Sequence, residues 1–226
     1  MKLNKELREI ICGLTLGDLH IQTQTGGRTF RLCFEQGNMH KEYLFHLYEL
    51  FRDYVSIPPK QNSKGNWYFK TLTSPSFRYY GILFYDKDTK KKKVPKNIHK
   101  FITAKSLAYW YMDDGSIKSK QSKGVFLNTQ SFTYREVLLL CDVLKNKFFL
   151  DSKPRPIYEQ LSKTGPKDYR KKKILYYQIY ISGHSYDLLR SLIFDYLITS
   201  MYYKFPDLRK EKRSKVCLKS NESAQR

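Results

Sequence analysis

Apolar residues at 3, 7, 10, 11 and 14 recur at intervals of three and four, which predicts a helix from Leu3 to Gly17. The period then changes. His20-Ile-Gln-Thr-Gln24 alternates, Thr25-Gly26-Gly27-Arg28 supplies a hairpin turn, and Phe30, Leu32 and Phe34 alternate with polar residues, so two paired strands are predicted. Helical spacing returns from Met39 to Val55 through Tyr43, Leu44, Leu47, Leu50 and Phe51, and Pro58-Pro59 stops it. Two short strands surround Asn62-Ser63-Lys64-Gly65, the second running from Trp67 to Leu72. Ser74-Pro75 then opens a helix to Tyr85, with Ser as cap and Pro in the first turn.

The order repeats. Ala104 to Met112 reads as a helix, and Ser116 to Lys120 and Val125 to Gln130 read as strands around Ser122-Lys123-Gly124. Phe132 to Phe148 is helical, Pro154 to Tyr158 and Ile174 to Ile181 are strands around a basic loop at Lys163 to Lys173, and Ser185 to Tyr196 is the last clear helix. The lysine run Lys90 to Lys93, with Val94-Pro95, is the expected linker, and Lys92-Lys93-Val94-Pro95 is echoed by Tyr203-Lys204-Phe205-Pro206. The period is too long for a solenoid. The expected fold is α+β: two pseudo-symmetric αββαββα repeats, 1–95 and 96–226, each with a curved antiparallel sheet, fused into one pseudo-dimeric monomer.

Charge narrows the partner. The 226 residues carry a formal net charge of +21, which points to a polyanion, with nucleic acid ahead of a membrane surface because no long amphipathic helix accompanies the basic stretches. A hydrophobic fraction of 41% supports a folded core, and no apolar run approaches the ~20 residues of a membrane span. The first residues, MKLNKELREI, lack the apolar core of a secretory signal. Cys12, Cys33, Cys141 and Cys217 form no CxxC pair and the histidines are dispersed, which argues against zinc sites and a disulfide scaffold. Alanine occurs only at 104, 108 and 224 while Lys, Tyr, Phe and Ile abound, a skew that fits an A/T-rich organelle genome, mitochondrial or chloroplast.

The helices that open the two halves end alike, in Gly13-Leu14-Thr15-Leu16-Gly17-Asp18-Leu19 and in Tyr109-Trp110-Tyr111-Met112-Asp113-Asp114-Gly115. An acid there lies at the negative end of the helix dipole, a cost that a divalent cation relieves. Gly13 and Gly17, four apart, allow two such helices to pack closely, which brings Asp18 and Asp114 together where they repel unless metal lies between them. Carboxylate oxygens suit Mg²⁺ and Mn²⁺. Either acid by itself reads equally well as part of an ordinary turn.

Taken together these segments resemble the LAGLIDADG homing endonucleases of the single-chain, two-motif, I-SceI type. The penultimate acid of each motif is present as Asp18 and Asp114, whereas Leu16 and Met112 replace the first acid, Leu19 the final Gly and Tyr109 the small first Gly. The likeness extends through Leu127-Asn128-Thr129-Gln130-Ser131-Phe132 and from Tyr196-Leu197-Ile198 to Lys204-Phe205-Pro206. The resemblance implies a two-helix interface, Mg²⁺-dependent cleavage with Mn²⁺ substituting, cutting of both strands across the minor groove to leave short 3′ overhangs, and initiation of intron homing. It makes Asp18 and Asp114 metal ligands. It also places an active-site lysine ahead of a proline in each half, mapped onto Lys92 (with Lys93 the alternative register) and Lys204, to stabilise phosphate charge or orient water. Glu35 and Gln130, read as equivalent strand positions, are candidates for ordering water at the metals, with a surface role equally open.

A two-stranded ribbon fits the DNA major groove. His20, Gln22 and Gln24 share one face of the first strand, and Ser116, Lys118 and Lys120 share one face of its counterpart. Arg28, Arg31, Lys70, Tyr176 and Gln178 are further DNA-binding candidates, and basic loops at Arg170 to Lys173 and Arg209 to Lys215 suit phosphates. The expected partner is a long non-palindromic duplex read by a monomer, with the protein's own intron RNA as a second partner and no membrane. An RNA-binding intron maturase is the alternative function, and a DNA-binding regulator on the same scaffold a third.

Overall fold

The computed structural model describes residues 2–119, 121–159 and 173–205. The first helix, α1 (Lys5–Leu16), starts where Asn4 accepts the Leu7 N–H at 2.8 Å. Strands β1 (His20–Gln22) and β2 (Arg31–Gln36), helix α2 (Lys41–Leu50), strands β3 (Lys60–Gln61) and β4 (Trp67–Lys70) and helix α3 (Arg78–Phe84) follow. The second half repeats the order with α4 (Ala104–Asp114), β5 (Gly115–Ser119), β6 (Ser122–Leu127), α5 (Tyr134–Phe148), β7 (Ser152–Tyr158), β8 (Ile174–Ile181) and α6 (Tyr186–Ile193).

Each half builds one four-stranded antiparallel sheet, ordered β1-β2-β4-β3 and β5-β6-β8-β7, so the strand orders are equivalent. Both α3 and α6 are entered through a 3₁₀ turn capped by serine, Ser74 accepting from the Ser76 N–H and Ser182 from the His184 N–H. Alternation sorts the faces. Ile21, Leu32, Phe34 and Phe69 of the first sheet, and Val125, Leu127, Ile179 and Ile181 of the second, point into one core.

That core closes where α1 packs on α4. Ile10, Ile11, Leu14, Leu107, Ala108 and Trp110 are buried there, each fully buried large apolar side chain stabilising the fold by about 1.5–3 kcal/mol. The approach depends on Gly13, because a Cβ at that position would come within 2.0 Å of the Ser106 carbonyl oxygen. The Ser106 hydroxyl meanwhile donates to the Glu9 carbonyl at 2.9 Å, a side-chain bond that ties α4 to the backbone of α1.

Two expectations change. Ser122-Lys123-Gly124 is not the hairpin loop. It belongs to β6, whose first residue, Ser122, pairs with Ser119 of β5. Gly124 is there for packing, since a Cβ would lie 2.7 Å from the Tyr180 ring. The helix from Ala104 runs past Met112 to Asp114, whereas α1 stops two positions earlier in the repeat, at Leu16. Lys120, most of the Lys163 to Lys173 loop and the Arg209 to Lys215 segment lie outside the described residues. Among the described residues no helix is long and apolar enough to cross a membrane.

Candidate active site and nucleic-acid interface

The ends of α1 and α4 meet at the seam between the halves. Asp18 is exposed just beyond α1, and its Oδ2 accepts from the Gln36 side-chain amide at 3.0 Å. Gln36 Oε1 lies 3.3 Å from His40 Nδ1, and His40 Nε2 lies 3.1 Å from the Tyr203 hydroxyl. Asp114 ends α4. Burial first, and then the charge of Asp18, pushes its carboxyl from 3.8 up to about 7, against the opposing pull of Lys92 and Lys204. The two motif acids are therefore electrostatic neighbours, as the glycine spacing requires.

Lys92 and Lys204 are built alike. Lys92 Nζ donates to the Gly17 carbonyl at 2.6 Å, at the end of α1. Lys204 Nζ donates to the Met112 carbonyl and, at 3.1 Å, to that of Asp113, at the end of α4. Each half thus sets an ammonium on the carbonyl end of its own interface helix, where a cation offsets the dipole. Burial lowers the pKa of both, and Asp113, Asp114 and Asp18 pull them back up. Lys93 is used differently: its backbone N–H bonds the Phe84 carbonyl, and the side chain that reaches the helix end is that of Lys92.

The pairing of Glu35 with Gln130 does not hold. The hairpin registers place His20 opposite Cys33 and Ser116 opposite Phe126, each two residues past its motif acid, which makes Asn128, not Gln130, the counterpart of Glu35. Glu35 Oε1 accepts from the Asn62 and Asn66 amides, both at 2.9 Å, and Gln130 is exposed in the turn before α5. The side chains that touch the helix ends are Gln36 and Asn128, whose amide donates to the Asp114 carbonyl at 3.1 Å. A one-residue register error in β2 was enough to miss Gln36.

A third acid was also overlooked. Asp113 Oδ1 accepts from the Tyr43 hydroxyl at 2.8 Å and Oδ2 from the Asp18 N–H at 3.0 Å. Burial, then the charges of Asp18 and Asp114, hold its pKa well above the carboxylate range. The sequence signal was the doubled acid Asp113-Asp114, absent from the first motif.

The outer sheet faces are basic and polar. Cross-strand partners share a face, so His20, Gln22, Arg31, Lys70 and Tyr68 of the first sheet lie together. Arg31 grips the Gln22 carbonyl oxygen with Nε at 2.9 Å and a terminal nitrogen at 2.7 Å. Burial first, and then the charges of Lys92 and Lys70, lower the His20 pKa. Gln24 and Arg28 are exposed in the hairpin connection beyond β1. On the second sheet Ser116, Phe126, Tyr180, Gln178 and Tyr176 share the outer face with Lys153 and Arg155, two cations not anticipated from sequence. Lys118 lies over the Tyr180 ring and Arg155 over Phe126, 5.3 and 4.6 Å from the centroids. Gln178 is already engaged, donating to Asn128.

Two fused α+β halves, interface helices ending in paired acids, and two basic sheet faces define the class. The chain matches the LAGLIDADG DNA endonuclease family over residues 8–189 and belongs to it. Among its relatives, DNA endonuclease I-ChuI of Chlamydomonas applanata is 30% identical over 92% of this chain and 97% of its own. Cytochrome b mRNA maturase bI2 of Debaryomyces hansenii is 32% identical over 89% of this chain and 74% of its own. The homing endonuclease I-WcaI, solved bound to its DNA recognition sequence, superposes with a TM-score of 0.74 at 30% identity, covering 91% of this chain and 88% of that one.

Proposed function

We propose that this chain is a site-specific homing endonuclease that hydrolyses both strands of a long, non-palindromic DNA duplex with a divalent metal, as a monomer of two halves, 1–95 and 96–226. One observation carries the reading: each half ends its interface helix in an acid and sets a lysine on that same helix end, and the two ends are electrostatic neighbours. A structural turn has no need of this arrangement.

Asp18 and Asp114 fit a hard cation. They are carboxylates at the negative ends of two helices, and the burial that raises Asp114 to about 7 is relieved by a positive ion. Among the described residues no group of three or more His, Cys, Asp or Glu forms a closed cage, so two protein carboxylates leave room for phosphate and water in the coordination shell. Mg²⁺ is the proposed ion, with Mn²⁺ substituting; when bound, it supplies charge stabilisation at the phosphate and an acidified water. The protein's part is positioning. Gln36 holds the Asp18 carboxylate, and Lys92 and Lys204 keep positive charge at the seam for the charge that develops on the phosphate. The outer sheet faces read the major groove, with Gln22, Arg31, Lys70, Lys118 and Arg155 as the main contacts.

Relatives described as intron-encoded endonucleases and cytochrome b maturases support an intron-borne gene in an organelle genome. The maturase relatives also support a second reading, binding of the chain's own intron RNA. Selection of cleaved sites from a randomised duplex library with Mg²⁺ tests the main reading: one asymmetric site, cut on both strands, is expected. Splicing of the cognate intron without any cleaved duplex would favour the maturase.

A further inference from the structure

By the repeat, Asp113 occupies the position that Gly17 holds in the first half. The two residues face each other across the seam, and a Cβ on Gly17 would come 2.4 Å from the Asp113 carboxylate. The two helix ends consequently bond differently. The Gly17 N–H still bonds the Gly13 carbonyl, after which the chain leaves the helical ladder: the Asp18 N–H goes to Asp113 and the Leu19 N–H returns to the Leu14 carbonyl. In α4 the helix continues through Asp114, so its N–H stays within the helix's own ladder. The first half's acid is therefore pinned by a side chain of the second half, and Gly17 has no side chain with which to return the contact. Tyr43, on α2 of the first half, fixes the other oxygen of that carboxyl.

We infer that Asp113 is a positioning residue for Asp18, a third acid that sets the first half's metal ligand through its backbone and makes the two cutting sites unequal. Both oxygens of Asp113 accept from donors of the opposite half, which fixes its carboxyl against the backbone of Asp18. The inference rests on the endonuclease reading and concerns the strands separately. Losing Asp113 frees the backbone at Asp18 and leaves Asp114 in its helix, so cleavage of one strand slows more than cleavage of the other.

The test is the cleavage of a selected duplex, labelled at both strand ends, by Asp113→Ala, Asp113→Asn and Tyr43→Phe, with DNA affinity measured in Ca²⁺. For Asp113→Ala the ratio of the two nicking rates is expected to move by about tenfold or more from wild type, with affinity within about threefold. Asp113→Asn keeps an acceptor for the Asp18 N–H and is expected to restore the ratio. Tyr43→Phe, which removes one hydroxyl, is expected to shift the ratio in the same direction by less, and it carries the test if Asp113→Ala does not fold. Equal slowing of both strands, no slowing, or an Asn variant as biased as Ala overturns the inference. Failure of the wild-type protein to cut any selected duplex would instead sink the endonuclease reading itself.

Discussion

The ends of α1 and α4 carry equivalent acids and are held in different ways. At Asp18 the carboxylate itself is braced, by Gln36 backed by His40 and Tyr203, and the backbone is fixed from across the seam by Asp113. At Asp114, Asn128 braces the backbone carbonyl with Gln178 behind it, and the carboxyl is more deeply buried, with the Trp110 indole beside it. The lysines are the part that is truly repeated, each on its own helix end. The two halves thus share an acid and a lysine at equivalent positions and differ in the hydrogen bonds around them. Two half-sites that have this pair in common, with Asp113 in one of them alone, can then respond differently to the same substitution.

The broadest way to challenge the comparison is to remove an acid. Asp18→Asn and Asp114→Asn are each expected to reduce double-strand cleavage by about a thousandfold while leaving DNA binding in Ca²⁺ nearly intact. Normal Mg²⁺-dependent cutting by either variant would remove that acid from the site. Lys92→Ala and Lys204→Ala come next, slowing cleavage by about a hundredfold with a smaller loss of affinity; Lys93→Ala is expected to cut at the wild-type rate. If rate and affinity fall in step, the two lysines are ordinary phosphate contacts.

Gln36→Ala sharpens the difference between the halves. It is expected to slow cleavage by about tenfold and to have more effect than Asn128→Ala, because only Gln36 touches a carboxylate. Single-turnover rates of the two variants side by side decide it. The smallest effect is on stability in chelator. Asp114 is raised from 3.8 to about 7 in the fold, so between those values the native state binds more protons than the unfolded chain. Stability of the metal-free protein therefore falls as pH rises through that window. Melting curves at pH 5 and pH 8 are expected to show a larger drop for wild type than for Asp114→Asn, and an equal drop would mean that this acid contributes nothing.

The repeated element order, the two helix-end acids and the lysines were legible in the sequence because each follows from local spacing or from a short motif. What was not legible depended on register and on contact across the seam. Reading Glu35 with Gln130 instead of Gln36 with Asn128 is an error of one or two residues in where a strand ends, and period-two alternation turns such an error into the opposite face. Asp113 looked like one half of a turn because its partners, Tyr43 and Asp18, lie 70 and 95 residues away. Arg155 falls inside the strand read from Pro154 to Tyr158 and Lys153 just before it, but the face they share depends on the pairing of β7, an edge strand that tolerates its prolines, with β8.

The glycine contact between α1 and α4 bears on how such a protein could be retargeted. Both acids hang from helices whose spacing is set by Gly13 against the Ser106 backbone and by Gly17 against Asp113, with no residue of a reading strand between them. On the endonuclease reading proposed above, the stagger between the two nicks would be a dimension of the helix seam. Exchanging Gln22, Arg31 or Lys118 for other side chains would change which sequence is cut and leave the overhang length as it was. A methyl group at Gly13 would instead meet the Ser106 carbonyl oxygen 2.0 Å away and force the two helices, with both acids, to move.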